Sequence, residues 1–506
     1  MIELLHTHAL TALILIPALV TAGLCLVPAS RANLIRTVSC LGAGLTMVIA
    51  VWLFFAYDQA ANGFQFVFSM PWVPDLGIQY KVGADGVSVA MVLLTSIVYL
   101  AGALVSTQVK VRVKDFYVLL SALVTGVFGV FVSLDLFIFY FFYELAVVPM
   151  YLLIGYWGSS NREYATMKLT LYLTVGALVA LFGLLMLYFS GITETPTFDL
   201  TQILAAVEAG NGLDVGTQKF LFPLLLVGFA TIAPMWPLHS WSPGGHAAAP
   251  SAASMMHAGV LMKLGSYAII RIALPVLPEG AVTWLPWVAV LCCFNIIYGG
   301  YVAMSQRDMK FVIGYSSSSH MGYVLLGIAS ISVLGMSGAV FLMFAHGVMT
   351  AMAFALIGFF YEQTHTRMLD DLGGLLSQIP FIGMLFIMTA MASLGLPGFA
   401  NFASELMVIV GSWERYPIPT TLAVFGLVIG ATYLLRTVRA AFQGPLDPRW
   451  ADLKDAKGPL QRAPFLLLCG TLLLFGIYPA PMVDLISGSI QPVVDALLAA
   501  EAGLSI

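Results

Sequence analysis

Apolar residues run along this chain in long blocks, neither alternating as in a half-buried strand nor confined to the single stripe of a soluble helix. Fourteen blocks reach the roughly 20 residues that a helix needs to cross the hydrocarbon of a bilayer. They fall near 9–29, 37–56, 83–107, 115–133, 136–156, 168–189, 218–238, 251–275, 282–303, 310–332, 337–360, 379–404, 419–438 and 464–485. The pattern predicts an all-α polytopic membrane protein. After the last block, Ile490, Val493, Val494, Leu497 and Leu498 recur at helical spacing, as expected of a helix lying along the membrane surface or against a neighbouring subunit within 486–503. Two longer polar stretches connect blocks: 190–217, to which no role is assigned, and the proline-containing, charged segment Gly444 to Arg462.

Composition agrees with the pattern, since 60% of the residues are apolar and 9% charged, against roughly 25% charged in a soluble domain. The positions of the cations orient the helices. Sixteen of the 21 lysines and arginines fall in or beside alternate connections, among them Arg31, Lys110, Arg162, Lys168, Arg307, Lys310, Arg367 and the group from Arg436 to Arg462. The opposite connections hold Lys81, Lys219 and Arg415, with Arg271 near an outer helix end. Basic loops mark the cytoplasmic side, so both termini are expected outside, in the periplasm of a bacterial inner membrane. Met1 to His8 carries Glu3 and no basic residue, so the first block is read as a retained helix and not as a signal peptide. A net charge of −4 without a basic patch points to no nucleic-acid partner. The five cysteines form no Cys-x-x-Cys pair, so no zinc or iron–sulfur framework is expected in this chain.

Two blocks carry their own interruptions. Pro234 and Pro237 lie in the seventh, and Leu394 to Phe399, with Pro397, in the twelfth. Proline removes an amide donor and clashes with the preceding turn, so both helices should end or unwind there. Ordinary proline kinks would do the same. Irregular backbone at membrane depth is tolerated where protein or a water-lined cavity satisfies it, and paired interruptions mark inverted-repeat transporters. Helices 4–8 and 9–13 form two such sets of five, each broken at its fourth member and starting from opposite sides. The expected units are 1–110 with helices 1–3, 111–276 as the first repeat, 277–442 as the inverted second repeat, and 443–506 with the loop, helix 14 and the tail.

Few ionisable residues lie inside the blocks. An ionised side chain at mid-membrane costs at least about 2.5–3.5 kcal/mol, so each needs a partner or a task. Lys263 is central in helix 8, Glu144 in helix 5, and Glu405 follows the break in helix 12. Burial disfavours the charged form of either type, which makes Glu144 and Lys263 natural opposite numbers for moving a proton. His320 in helix 10 and His346 in helix 11 can relay protons near neutral pH, or serve as interhelical hydrogen-bonding residues. Together these groups suggest a polar path along the middle of the bilayer, and their carboxylates suit protons and sodium alike.

The motifs Gly-Ala-Asp-Gly-Val-Ser around Asp85, Phe-Phe-Tyr-Glu-Leu at 141–145, Pro-Met-Trp-Pro-Leu-His-Ser-Trp at 234–241, Ala-Gly-Val-Leu-Met-Lys at 258–263, Tyr-Ser-Ser-Ser-Ser-His-Met-Gly at 315–322, His-Gly at 346–347 and Leu-Pro-Gly-Phe-Ala-Asn-Phe at 396–402 resemble chain M of proton-translocating NADH–quinone oxidoreductase, respiratory complex I. Thr-His-Thr-Arg at 364–367 and Asp-Asp-Leu-Gly-Gly at 370–374 resemble chain M more than chains L or N. The resemblance implies a fourteen-helix antiporter-like subunit without a redox centre, in which NADH, FMN, iron–sulfur clusters and quinone belong to partner subunits such as those neighbouring chains L, N and K. It assigns a proton relay to Glu144, Lys263, His320, His346 and Glu405.

Two positions depart from the family pattern. Ile232 stands where the family carries a lysine paired with the helix 5 glutamate, and Gly244 replaces an acid in Pro-Gly-Gly-His, although His246 remains. Glu144 then lacks a cation within its own half, and His257 is a candidate substitute, with His246 a further relay candidate. Alternative readings are a non-pumping spacer or coupling subunit of a modified complex I, and a subunit of a multi-subunit cation/proton antiporter or membrane-bound hydrogenase.

Overall fold

The computed structural model describes residues 2–61, 63–159 and 161–504. Helices α1 (Ile2–Leu26) and α2 (Ala32–Ala56) precede a hairpin of β1 (Gln65–Val73) and β2 (Ile78–Ala84). Next come α3 (Gly86–Val105), α4 (Val113–Val132), α5 (Leu136–Trp157) and α6 (Arg162–Tyr188). The seventh helix is split into α7a (Val215–Ile232) and α7b (Ser242–Ala248), followed by α8 (Ser251–Val276), α9 (Pro278–Ser305), α10 (Met309–Ala329) and α11 (Val333–Thr364). The twelfth is split into α12a (Pro380–Ser393) and α12b (Ala400–Trp413), before α13 (Pro417–Phe442), α14 (Pro459–Ile477) and α15 (Ala480–Leu504).

Thirteen helices among the described residues are long and apolar enough to cross a membrane. That set includes α15 and leaves out α10, whose serines lower its hydropathy, and α12, which is interrupted. With α10 and α12 counted and α15 set apart, the fourteen crossings of the sequence pattern are all present. The crossings are graded by burial. The best apolar window of α11 is 100% buried and that of α8 94%, against 33% for α2 and α13, so α11 and α8 are central and α2 and α13 lie at the edge of the bundle.

Three segments differ from expectation. Residues 65–84, between the second and third blocks, form an antiparallel hairpin, and α3 begins after Asp85 instead of at 83, with the Asp85 carboxylate capping the Ser88 amide at 2.9 Å. The fourteenth crossing ends at Ile477 instead of 485, because Pro479 and Pro481 cannot extend it, and α15 starts at once. Its apolar face, Met482, Leu485, Ile486, Ile490, Val494 and Leu497, is buried at helical spacing. The outer ends of three other elements meet it: the Gly86 amide donates to Ser489 Oγ at 2.8 Å, Tyr57 Oη lies 3.5 Å from the same hydroxyl, and Arg415 pairs with Glu501. Thirdly, α6 starts at Arg162 and not at 168, so Arg162 and Lys168 both lie on the helix.

On the outer side, β2 is stitched to the start of α5 and to the 190–217 connection. Leu134 N–H donates to Lys81 O at 2.9 Å, and Leu136 N–H to Phe198 O at 2.8 Å. Lys81 Nζ donates to Asp199 and to Thr201, at 2.7 and 2.6 Å. Burial works against the charge of Asp199, but the hydrogen bonds from Lys81 and Thr201 and the Lys81 charge hold its carboxyl below the usual range. Asp135 is pushed up to about 6 by burial, against the pull of the Gln79, Ile138 and Phe137 amides and with the Asp199 charge adding to the rise. The two acids therefore have opposite linkage. The stabilisation from Asp199 is present above the ordinary carboxylate range and is lost as pH falls through its depressed value, whereas Asp135 weakens the fold as pH rises from 3.8 through about 6. Lys81→Met should speed hydrogen exchange at the Gln79 and Leu134 amides at pH 7, and the difference from the parent should fade in acid as Asp199 is protonated.

On the inner side, the 9–10 and 11–12 connections lock together. Arg367 Nε donates to Asp308 at 2.6 Å, Met309 N–H to Arg367 O at 3.0 Å, and Leu369 N–H to Arg307 O at 2.8 Å. Asp455, from the segment after α13, caps the start of α12a through the Phe381 amide at 2.7 Å.

The break in the seventh helix is satisfied by two side chains. Trp241 Nε1 donates to Thr231 O at 2.9 Å, and Asn295 of α9 accepts from the Trp236 amide while donating to Pro234 O at 2.8 Å and Ser318 O at 3.1 Å. Asn295→Leu leaves these groups without their amide, each at about 1–3 kcal/mol. The expected result is a clear fall in the thermal stability of the purified protein.

Candidate functional site

Lys263 is fully buried in α8, between two widened π-helical turns at His257–Leu261 and Ile269–Ala273. In the first, the Met262 amide reaches back five residues to His257 O at 3.3 Å. The Ala258 carbonyl then receives a hydrogen bond from the Lys263 ammonium, and Lys263 Nζ also lies 2.9 Å from His346 Nδ1. Close backbone approach makes this contact: a Cβ on Gly347 of α11 would lie 2.5 Å from Gly259 O, and one on Gly259 3.0 Å from Gly347 O. No side chains separate the two helices there, so residues 263 and 346 come within reach.

The His346 ring stacks on His320 of α10, with centroids 5.1 Å apart and planes at 27°. His320 Nδ1 lies 2.7 Å from Ser316 O, and Nε2 lies 3.3 Å from Ser393 O at the end of α12a and 3.4 Å from Glu405 Oε1. Both nitrogens face acceptors, which is the donor pattern of an imidazolium with Glu405 as counter-charge. The break in α12 provides that surrounding. Gly395 and Gly398 turn the chain at φ +65° and +102°, and a Cβ on Gly395 would lie 2.4 Å from Glu405 Oε2. The 3.4 Å approach to His320 is an ion pair without hydrogen-bond alignment, so neither Glu405 oxygen has a hydrogen-bond partner, nor has either amide atom of Asn401 one turn earlier.

The structure therefore brings Lys263, His346, His320 and Glu405 into one chain, and leaves Glu144 outside it. Glu144 is half-buried on α5, with a 3.2 Å hydrogen bond from Tyr140 Oη, and among the described residues no cation reaches it. Glu144 and Lys263, read as opposite numbers, do not meet: the lysine's side-chain partner is His346. Ile232 is fully buried at the end of α7a, where a Cβ on Gly265 of α8 would meet its Cγ2 at 2.6 Å and Phe229 O at 2.2 Å. Helix packing fills the place of the missing lysine. His257 does not turn to Glu144 either. Its ring lies 4.3 Å from His246 and 5.3 Å from Trp241, centroid to centroid. His246 Nε2 is 3.0 Å from Ser242 Oγ and 3.1 Å from Met262 Sδ, while both nitrogens of His257 and Nδ1 of His246 are buried without partners.

Sequence reasoning missed Lys310, read as a loop cation. It is buried and donates to Ala249 O at 2.7 Å, so it complements the C-terminal dipole of α7b. Its signal was Asp308, which caps the Lys310 amide at 2.8 Å and so starts α10 one residue earlier. No group of three histidines, cysteines or acids placed to hold a metal occurs among the described residues.

A buried run of ionisable side chains, bracketed by two interrupted helices in a membrane bundle, defines an antiporter-like membrane protein. The chain belongs to the NADH:quinone oxidoreductase/Mrp antiporter transmembrane family, whose profile matches residues 133–430. It is 38% identical over 481 residues to NAD(P)H-quinone oxidoreductase chain 4 1 of Synechococcus elongatus, covering 93% of this chain and 88% of that one. With NADH-quinone oxidoreductase subunit M of Rhodobacter capsulatus it shares 35% identity, covering 89% and 88%. Among solved structures, a chain of respiratory complex I from Thermus thermophilus with bound NADH superposes with a TM-score of 0.88 at 29% identity, over 97% of this chain and 99% of that one. A chain of the Mrp complex from Dietzia sp. has the same fold, with a TM-score of 0.82 at 20% identity, over 98% and 99%.

Proposed function

We propose that this chain is a proton-translocating membrane-arm subunit of a complex I-type NADH–quinone oxidoreductase in a bacterial inner membrane, with both termini in the periplasm. NADH, FMN, iron–sulfur clusters and quinone are handled by partner subunits, and chains of the L, N and K type flank it. The observation that carries the reading is the unbroken run Lys263–His346–His320–Glu405. Lys263 donates to a neutral His346 through Nδ1, His346 faces the His320 ring, and His320 meets Glu405 beside the α12 break. A proton leaving Lys263 has an acceptor already in contact, and Glu405 ends the run where unwound backbone admits water. α4–α8 and α9–α13 are the two inverted repeats of this machine.

In this reading the second repeat conducts. Glu144, without a cation, no longer forms the switch that the family motif implies for the first. A non-pumping spacer is the second reading, favoured by the packing of Ile232 against Gly265. NADH-driven proton uptake in sealed vesicles, at matched assembly, separates them. Lys263→Ala should lower protons moved per NADH, and Ile232→Lys should not mimic it. An unchanged ratio in Lys263→Ala makes the chain a spacer.

A further inference from the structure

Beyond Lys263, α8 carries a second polar group towards its far end. One turn on along α8 is Tyr267, and one turn further is Arg271, which meets it, since Arg271 Nε donates to Tyr267 Oη at 3.3 Å. Both are tied to the start of α3. Ser88 Oγ lies 2.9 Å from Tyr267 Oη and accepts from Arg271 at 3.2 Å, and Arg271 also donates to Asp85. Tyr267 Oη in turn donates to Phe131 O at 2.8 Å. The guanidinium lies between the rings of Phe64, at 4.8 Å, and Tyr267, at 5.4 Å, and the Arg271 and Asp85 side chains are 10% and 7% exposed.

Immediately beyond this pair opens a cleft of about 1110 Å³ between α15, the end of α8 and the start of α9. Asp85 and Arg271 form part of its floor, and Glu208, Glu279 and Asp495 line its walls. One helix thus carries the buried lysine and, two turns on, a fixed cation that borders an outward cleft with acids in its lining. An acidic vestibule concentrates cations, and a fixed arginine in a narrow polar throat excludes protons and other cations. The two features oppose one another at one point.

We propose that Arg271 is the electrostatic barrier that closes the outer mouth of the path starting at Lys263, with the cleft as its vestibule, and that outward passage requires the Arg271–Asp85 pair to part. Asp85 holds the guanidinium in the throat and offsets part of its charge. The inference rests on Lys263 belonging to a proton path, but its test reads passive leak, which needs no turnover.

The experiment measures proton permeability of sealed vesicles carrying the assembled complex, with NADH withheld and then supplied. Arg271→Gln should raise passive proton leak by about tenfold. Arg271→Lys should stay tight, because it keeps the charge while losing the fork that bonds three partners. Asp85→Asn leaves the cation uncompensated, so it should not leak and should slow NADH-driven uptake. Lys263→Leu added to Arg271→Gln should abolish the leak. If Arg271→Gln fails to assemble, Phe64→Glu places an acid against the guanidinium from the cleft side and should leak instead. The proposal is overturned if Arg271→Gln, or Phe64→Glu in its place, is as tight as the parent, or if Asp85→Asn leaks like Arg271→Gln, as a mere structural staple would. A leak from Arg271→Gln that survives Lys263→Leu separates the barrier from the lysine and overturns the proposal too. Normal pumping by Lys263→Ala is a different result, which removes the relay and leaves the leak measurement to stand alone.

Discussion

His346→Leu is expected to nearly abolish NADH-driven proton movement through this subunit. His346 Nδ1 is the side-chain partner of a lysine that is fully buried, at 2.9 Å, and the remaining bond of the ammonium is to Ala258 O. Removing one partner of a buried charge costs about 3–5 kcal/mol, so Lys263 would lose its proton or its position. The substitution also removes the ring between Lys263 and His320. Both effects act in the same direction, so little uptake through this subunit should remain. His346→Gln isolates the second effect, since its amide oxygen can accept from Lys263 but cannot carry a proton onward. The measurement is dye-monitored proton uptake against NADH consumed in sealed vesicles. Uptake at the parental ratio in His346→Leu would show that protons do not pass through α11.

Gly347→Val should cost heavily in assembly. Its Cβ would lie 2.5 Å from the Gly259 carbonyl and 2.7 Å from a Leu94 methyl. Leu94 can rotate away, but the carbonyl belongs to the π turn that positions Lys263 and cannot yield without moving α8. Overpacking of this kind costs about 1–3 kcal/mol and occasionally more. Its functional consequence is larger, because any separation of α8 from α11 lengthens the Lys263–His346 contact. Reduced recovery of intact complex is expected, with proton uptake lost in whatever assembles, while Gly347→Ala is milder. Gly470→Val is the control, because a Cβ there meets nothing within 4 Å. Full recovery and normal uptake in Gly347→Val would show that the two backbones have slack.

The crossings were legible because a bilayer imposes a length and an apolarity that few other environments do, and even the serine-rich α10 was found. The hairpin was not legible. β1 holds Pro71 and register shifts on both sides of its paired core, and neither strand alternates cleanly, so the pattern gave no strand there. The site was half legible. Lys263, His320, His346 and Glu405 stood out because ionisable groups are costly in apolar blocks. Their order did not, because it depends on the π turns of α8 and on Gly259 meeting Gly347, neither of which leaves a periodicity in the sequence. Glu144 shows the same limit from the other side. Its missing lysine was visible at Ile232, but not that α8 packs onto Ile232 at Gly265, nor that the His257 ring lies beside His246.

The strap α15 lies later in the chain than every helix whose outer end it fastens, and that order has a consequence for biogenesis. A chain emerging from its N-terminus inserts its crossings first, so the Lys263–His346–His320–Glu405 run can be complete while Gly86 and Tyr57 still lack Ser489, and Arg415 still lacks Glu501. During that interval the wall of the outer cleft that α15 supplies is absent. Closure of this face is therefore a late step of synthesis, and a chain truncated before Ala480 would insert with its buried relay intact and its cleft unwalled.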